Sequence, residues 1–349
     1  MSALQAITDL LDFRHAFLEL FLHPVDTYQA YLPHLNVYEL FGGNSFSPEK
    51  DIPDLSGKVI LVTGGNAGLG LESIRQLVAH GPKCVCLASR TPSKGEEAVT
   101  NIKKTFPSAN IVYLPLDLAS FDSISNAAKA FASQSDRLDI LMNNAGVMAL
   151  PPGTTKDGYE IQLGTNYIGH ALLTKLLMPT LLATAKEPGA DVRIVNLSSE
   201  ASVFGSSPDV LFDKSKLDAQ PTLTRYGYTK LANILFAREL AKRYPSITSV
   251  AVHPGVIHSD IWGPLQHTTT FTVRWILAAV TFLVGTSIEV GVWNQLWAAT
   301  CKRGEIVSGG FYKPVGYLSM GAPLAQDTML TRRLWEWTEK ELEKHGFRS

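Results

Sequence analysis

The sequence predicts an α/β protein: a doubly wound parallel sheet with helices on both faces, in a single domain that carries a helical N-terminal extension. Three observations predict it. Short apolar runs at 58–62, 83–88, 111–116, 138–142, 192–197 and 247–252 alternate with helical patterns at roughly 69–80, 93–105, 120–133, 160–183 and 227–243. The runs are continuously apolar rather than alternating, as expected for parallel strands covered on both faces. The first run, Lys58-Val59-Ile60-Leu61-Val62, stops in glycines where a helical pattern begins, the start of a right-handed strand–helix–strand crossover.

Composition narrows the classes. With 349 residues and 45% hydrophobic content the chain can bury one large core. The formal net charge is −1 and there is no long basic run, which argues against a nucleic-acid partner. Three cysteines, with Cys84 and Cys86 on an expected buried strand, form neither a metal nor a disulfide spacing. No metal is expected, and a reducing, cytoplasmic location is the simplest reading. The N-terminus lacks a basic region followed by a clean apolar stretch, so no secretory signal is expected.

Residues 1–50 precede the first strand. Leu10, Phe13, Phe17, Leu20 and Phe21 fall on one helical face, with Asp9, Asp12 and Glu19 elsewhere, until Pro24 and Pro33 break the pattern. An extra helix packed on the domain is expected here. A membrane-surface helix would carry more Lys and Arg on its polar face.

Ligands of doubly wound sheets sit beyond the carboxyl ends of the strands, so the chain can be read strand end by strand end. After the first strand come Gly64, Gly68 and Gly70, which let the backbone turn sharply and approach a ligand, with a helix N-terminus behind them to receive a phosphate. The spacing departs from the Gly-x-Gly-x-x-Gly fingerprint. After the second strand stand Ser89 and Arg90, where an acidic residue would accept an adenine-ribose 2′-hydroxyl. Arg90 offers a planar fork suited to a 2′-phosphate, and Lys94 adds charge. After the third strand comes Asp117, placed to meet the adenine edge, and after the fourth comes Asn143-Asn144-Ala145-Gly146, small enough for a nucleotide to come close.

The fifth strand ends in Asn196-Leu197-Ser198-Ser199, and Tyr226-Gly227-Tyr228-Thr229-Lys230 opens a later helix. A phenol near pKa 10 carries protons poorly at neutral pH. Lys230, one helical turn after Tyr226, lies on the same face, and its charge favours the phenolate. A tyrosine lowered toward ~7 is a workable general acid or base. A serine hydroxyl at the strand end could hold the reacting oxygen, and Asn166 could tie a water to Lys230.

Thr63-Gly64-x-x-x-Gly68-x-Gly70, Asn143-Asn144-Ala145-Gly146, Asn166, Ser199, Tyr226-x-x-x-Lys230 and Pro254-Gly255 occur in that order. The chain thereby resembles the short-chain dehydrogenase/reductase family of the classical type, from about residue 55 to about 320. Thr229-Lys230-Leu231-Ala232-Asn233 and Val252-His253-Pro254-Gly255-Val256 resemble its retinol-dehydrogenase-like branch and similar microbial oxidoreductases.

The resemblance implies a Rossmann domain over 51–325 that binds NADP(H) and transfers hydride to or from a carbonyl or alcohol carbon. It implies that Tyr226 exchanges the proton, that Lys230 lowers its pKa and holds the nicotinamide ribose, that Ser199 orients the substrate oxygen, and that Asn166 supports the proton relay. Of the adjacent pair Ser198 and Ser199, the family pattern favours the second. It further implies cofactor contacts from Gly64, Asn66, Gly68, Leu69, Gly70, Arg90, Asp117, Asn144, Tyr226, Lys230, the Val256 main chain and the Ser259 hydroxyl. Tyr228 is a decoy, because the lysine one turn on belongs to Tyr226.

Two segments bear on substrate. Tyr226 lies 27 residues after Ser199, about twice the spacing of compact family members, and the insert 204–224, with Pro208 and Pro221, is expected as a loop over the pocket. The stretch 271–284 within a second insertion (260–290) is apolar on most sides but too short to span a bilayer and is interrupted by Arg274; a lid helix over a lipophilic pocket is expected. Gly309-Gly310-Phe311-Tyr312 resembles the family's last strand, and 326–349 is expected as a C-terminal packing helix. The substrate is expected to be a lipophilic small molecule, retinoid-, steroid- or polyketide-like. Peripheral membrane contact and a homodimer stay open as partners. Rival readings are a redox-neutral epimerase, dehydratase or cyclase using the same tyrosine, and a non-catalytic NADP-sensing protein, which has no need of the Tyr–Lys pair.

Overall fold

The computed structural model describes residues 46–257 and 286–348. The expected N-terminal helix, the 271–284 stretch and Ser259 lie outside the described residues. A sheet of eight strands runs in the order β3-β2-β1-β4-β5-β6-β7-β8. Its strands are β1 (Val59–Thr63), β2 (Cys84–Ser89), β3 (Ile111–Pro115), β4 (Ile140–Asn143), β5 (Val192–Leu197), β6 (Ile247–Val252), β7 (Phe311–Lys313) and β8 (Tyr317–Ser319). All neighbours are parallel except β7 and β8. The chain starts in the middle of the sheet and winds outward in both directions, so the order reverses between β1 and β4. β8, which the sequence pattern does not announce, closes the far edge as a short hairpin strand.

Both faces are covered. On β1, Val59 and Leu61 point into one core while Ile60 and Val62 point into the other, the period-two geometry of a strand buried on both sides. Helices α3 (Phe121–Gln134), α4 (Ile161–Ala185), α5 (Thr222–Arg243) and α7 (Thr328–Lys344) line the first core; α1 (Gly68–Val78), α2 (Pro92–Thr105) and α6 (Trp293–Thr300) line the second. Helices α4 and α7 carry carboxylate caps at their starts: Glu160 accepts from the Gln162 and Leu163 amides at 2.9 and 2.7 Å, and Asp327 from those of Met329 and Leu330 at 2.8 and 2.9 Å. Helix α4 is long and apolar enough to cross a membrane, yet 61% of its most apolar window is buried, so it is the core helix this fold requires.

The insert after β5 is built, not structureless. Glu200–Phe204 and Pro208–Phe212 form tight helical turns and Lys214–Asp218 a short helix. Val210, Leu211 and Leu217 are buried in the first core, and Phe212 packs edge-on to Trp337 of α7 while Asp209 pairs with Arg333 at 2.9 Å. The Tyr228 phenol accepts the Ser207 N–H at 3.0 Å, so the second tyrosine of the motif anchors the insert.

Candidate active site

Thr63 pairs with Ala88, Asn143 with Asn196 and Leu197 with Val252, so the ends of these strands come level and their loops share one edge of the sheet. After Thr63 the backbone turns through Gly64 (φ +66°) and Gly68 (φ +53°), left-handed conformations that glycine adopts without strain. A Cβ on Gly64 would sit 3.0 Å from the Ala145 Cα, and one on Gly70 would strike the Gly64 carbonyl oxygen and the Asn144 amide. Gly68 instead borders open space. Helix α1 follows Ala67, which gives no side-chain cap, and has no acidic residue in its first turn. Uncapped first-turn amides, the positive helix end and an open glycine beside them fit a phosphate group. Asn66 and Leu69 are half-buried in the same loop.

The Asn144 side chain is engaged within the protein. Its amide donates to the Thr63 carbonyl at 2.8 Å, and the Thr63 hydroxyl accepts the Asn144 and Ala145 N–H groups at 3.0 and 2.9 Å. These bonds stitch the β4 loop to the glycine loop. Arg90 lies exposed just past β2, with no hydrogen bond or ion pair among the described residues, and Lys94 is exposed in the first turn of α2. Asp117 is half-buried past β3, its Oδ1 accepting the Ala119 N–H at 3.0 Å. Val256 is half-buried past β6, and its carbonyl accepts the Thr286 N–H at 2.8 Å.

The proton-handling residues converge. The Ser199 hydroxyl lies beside the Tyr226 phenol and acts to lower its pKa, whereas the Ser198 hydroxyl is buried and donates to the Lys230 carbonyl at 2.7 Å. Adjacent residues at an extended strand end point opposite ways, so only one of the pair can face the tyrosine. The Lys230 ammonium donates to the Leu197 carbonyl at 2.9 Å and lies 5.3 Å from the Tyr226 ring centre. Asn166 is wholly buried; its Oδ1 accepts the Val147 N–H at 2.8 Å, and its Nδ2 donates to the Val147 carbonyl at 2.8 Å and to the Thr229 hydroxyl at 3.1 Å. A Cβ on Gly146 would lie 3.5 Å from Asn166 Oδ1 and 3.6 Å from Lys230 Nζ.

One expectation needs correcting. Lys230 is expected to draw the Tyr226 pKa down, but burial pushes the phenol above its ordinary value, with the Ser199 hydroxyl a smaller opposing influence. Burial also lowers the Lys230 pKa to about 8. The ammonium lies over the ring, 5.3 Å from its centre, and loss of water around the phenolate dominates.

Sequence reasoning missed other contributors. Asn166 is expected from the sequence, but the wide π turn that carries it, Gly164–Ile168 inside α4, is not; such one-turn bulges recur at functional sites. Gly227 lies between the two tyrosines, where a Cβ would strike the Ala201 carbonyl oxygen and sit 2.8 Å from the Phe204 Cβ, so glycine lets α5 press against the turn that follows Ser199. Glu160 and Arg225, the residue before Tyr226, form a buried ion pair at 2.8 Å. Met148, Ala149, Ala201 and Leu223 make an apolar cluster around Tyr226.

The family model for short chain dehydrogenases matches residues 58–270. The chain is a short-chain dehydrogenase/reductase. It is 39% identical over 293 residues to a short-chain dehydrogenase/reductase of Armillaria gallica, covering 83% of this chain and 91% of that one. It is 34% identical over 310 residues to retinol dehydrogenase 12 of Homo sapiens, covering 87% and 92%. Among solved structures, an uncharacterised protein from Mycobacterium paratuberculosis superposes with a TM-score of 0.65 at 26% identity, covering 86% of this chain and 98% of that one. This short-chain dehydrogenase/reductase is therefore an oxidoreductase of a family that binds a nicotinamide cofactor and a small-molecule substrate.

Proposed function

We propose that the protein transfers hydride between NADP(H) and a carbonyl or alcohol carbon of a lipophilic small molecule, with Tyr226 as the proton carrier. The observation that carries this reading is the Lys230 ammonium 5.3 Å from the Tyr226 ring centre, with the Ser199 hydroxyl beside the phenol. When bound, the nicotinamide supplies or accepts the hydride. The chain's own residues handle the proton. Burial holds the phenol protonated at neutral pH, so Tyr226 stands ready as an acid, giving its proton to the substrate oxygen as the carbon is reduced. Ser199 holds that oxygen by hydrogen bonding. The phenolate left behind lies beside Lys230, whose ammonium stabilises it; with a pKa of about 8, Lys230 is mostly charged at neutral pH. Asn166 ties the loop after β4 to Thr229, the neighbour of Lys230. In alcohol oxidation the same groups run backward, the phenolate taking the alcohol proton.

NADP(H) over NAD(H) is supported by Arg90, which stands exposed where an acidic residue would hold a 2′-hydroxyl. Gly64, Asn66, Gly68, Leu69 and Gly70 would cradle the pyrophosphate, Asp117 the adenine, and the Val256 main chain with Ser259 the nicotinamide amide. Asn144 would act by holding the glycine loop in shape. The lipophilic substrate class is supported by Met148, Ala149, Ala201 and Leu223 around Tyr226, and by the name of the relative retinol dehydrogenase 12.

Following NADPH absorbance against lipophilic aldehydes and ketones tests the reading. Tyr226→Phe should cut turnover by about 10³-fold or more while NADPH binding stays nearly intact, and Arg90→Asp should shift preference toward NADH. Unchanged turnover in the first variant would overturn the mechanism; unchanged NADPH affinity in the second would overturn the phosphate assignment.

A further inference from the structure

His170 is buried inside α4, one turn after Asn166, and touches both halves of the site. Its Nδ1 lies 3.0 Å from the Asn166 carbonyl oxygen, and its Nε2 lies 2.9 Å from the Thr63 hydroxyl at the root of the glycine loop. Counting donors and acceptors settles which nitrogen carries the hydrogen. A carbonyl oxygen only accepts, so Nδ1 must be the donor. The Thr63 oxygen already accepts two backbone N–H groups, from Asn144 and Ala145, which uses both its lone pairs. Its own hydrogen remains, and the good acceptor in reach is Nε2, the Met142 carbonyl being 3.4 Å away. Every polar atom in this chain of contacts is satisfied by a neutral, Nδ1-protonated ring. An imidazolium would present a second donor to an oxygen with no lone pair left.

We propose that His170 is a positioning residue that locks the π turn carrying Asn166 to the glycine loop, holding the cofactor half and the proton-handling half of the site in one register. The proposal rests on the functional reading above for the roles of those two halves. Thr63 and His170 are separated by 107 positions in the chain, and the link runs onward through Asn166 to Val147 and Thr229, the neighbour of Lys230. Because the two bonds leave opposite edges of one ring, they can be broken separately. His170→Asn puts an amide where Nδ1 stands and keeps the Asn166 bond; His170→Gln reaches toward Thr63 and keeps that bond; His170→Leu keeps neither.

The test has two readouts. In the full-length protein with ¹⁵N-labelled histidine, the resonance missing from His170→Leu should report a protonated Nδ1 and a bare Nε2 at neutral pH. The opposite tautomer or an imidazolium there overturns the proposal. Titration with NADPH, followed by its fluorescence, should give His170→Gln an affinity within about threefold of the parent and His170→Asn one weakened about tenfold, the cost of an unmet buried hydrogen bond at the glycine loop. Equal weakening in both variants, or none in either, overturns the positioning role. If the parent itself does not bind NADPH, the cofactor reading fails instead, and the tautomer measurement still decides whether the His170 lock exists.

Discussion

Acidification should destabilise this protein through two buried histidines before its carboxylates matter. His170 is 2% exposed and His253 4%, and neither ring nitrogen of His253 has a hydrogen-bond partner among the described residues. Burial lowers their pKa values from 6.5 to about 4 for His170 and about 3 for His253, the Lys313 and Lys230 charges adding to the effect on His253. The unfolded chain takes up a proton at each imidazole as pH falls through 6.5, while the folded chain refuses it. Their contribution is therefore whole above pH 6.5 and lost progressively on the way down to about pH 4 and pH 3. At about pH 5 each histidine costs about 2 kcal/mol, and the pair about 4 kcal/mol, with a slope near 3 kcal/mol per pH unit. Against a typical total of about 5–15 kcal/mol this is large. Glu160, whose carboxyl burial pushes up, works in the opposite sense and trims the slope. The assay is urea unfolding by tryptophan fluorescence at pH values from about 7.5 to 5, at constant m-value. His170→Asn and His253→Asn should each remove about half of the slope, whatever they cost at neutral pH. A parent stability flat from pH 7 to 5, or a slope unaltered in both variants, would refute the reasoning.

Three further outcomes are expected. Ser199→Ala should lower turnover about 10²-fold by removing the hydroxyl beside Tyr226, whereas Ser198→Ala should leave turnover near the parent and cost about 1 kcal/mol of stability for its bond to the Lys230 carbonyl; parallel kinetics and melting curves separate the two. Gly70→Ala, whose Cβ would strike the Gly64 carbonyl oxygen and the Asn144 amide, should abolish NADPH binding in a titration, and an unaltered affinity would mean that the loop has room that the structure denies it. Arg225→Met would strand the Glu160 carboxylate, whose side chain is only 1% exposed, and should cost about 3–5 kcal/mol in urea unfolding.

Much of this molecule is written locally. Strand and helix identities follow from periodicities of a few residues, so the continuous apolar runs give β1 to β6 within two residues of their observed ends. The strand-end rule then brings Gly64, Arg90, Asn144 and Ser199 to one edge of the sheet, and the i, i+4 geometry of a helix brings Lys230 to Tyr226. Facing and burial are different. Ser198 and Ser199 are equivalent as a sequence pair until packing turns one toward Lys230 and the other toward Tyr226. The Tyr226 pKa moves up, not down, because desolvation depends on everything packed around the phenol. Gly227 matters only because the turn after Ser199 presses on α5, and His170 only because Thr63, far away in the chain, lies across from it. Periodicity is a property of neighbours along the backbone, whereas close approach, hydrogen-bond bookkeeping and desolvation belong to segments that meet only once the sheet is assembled.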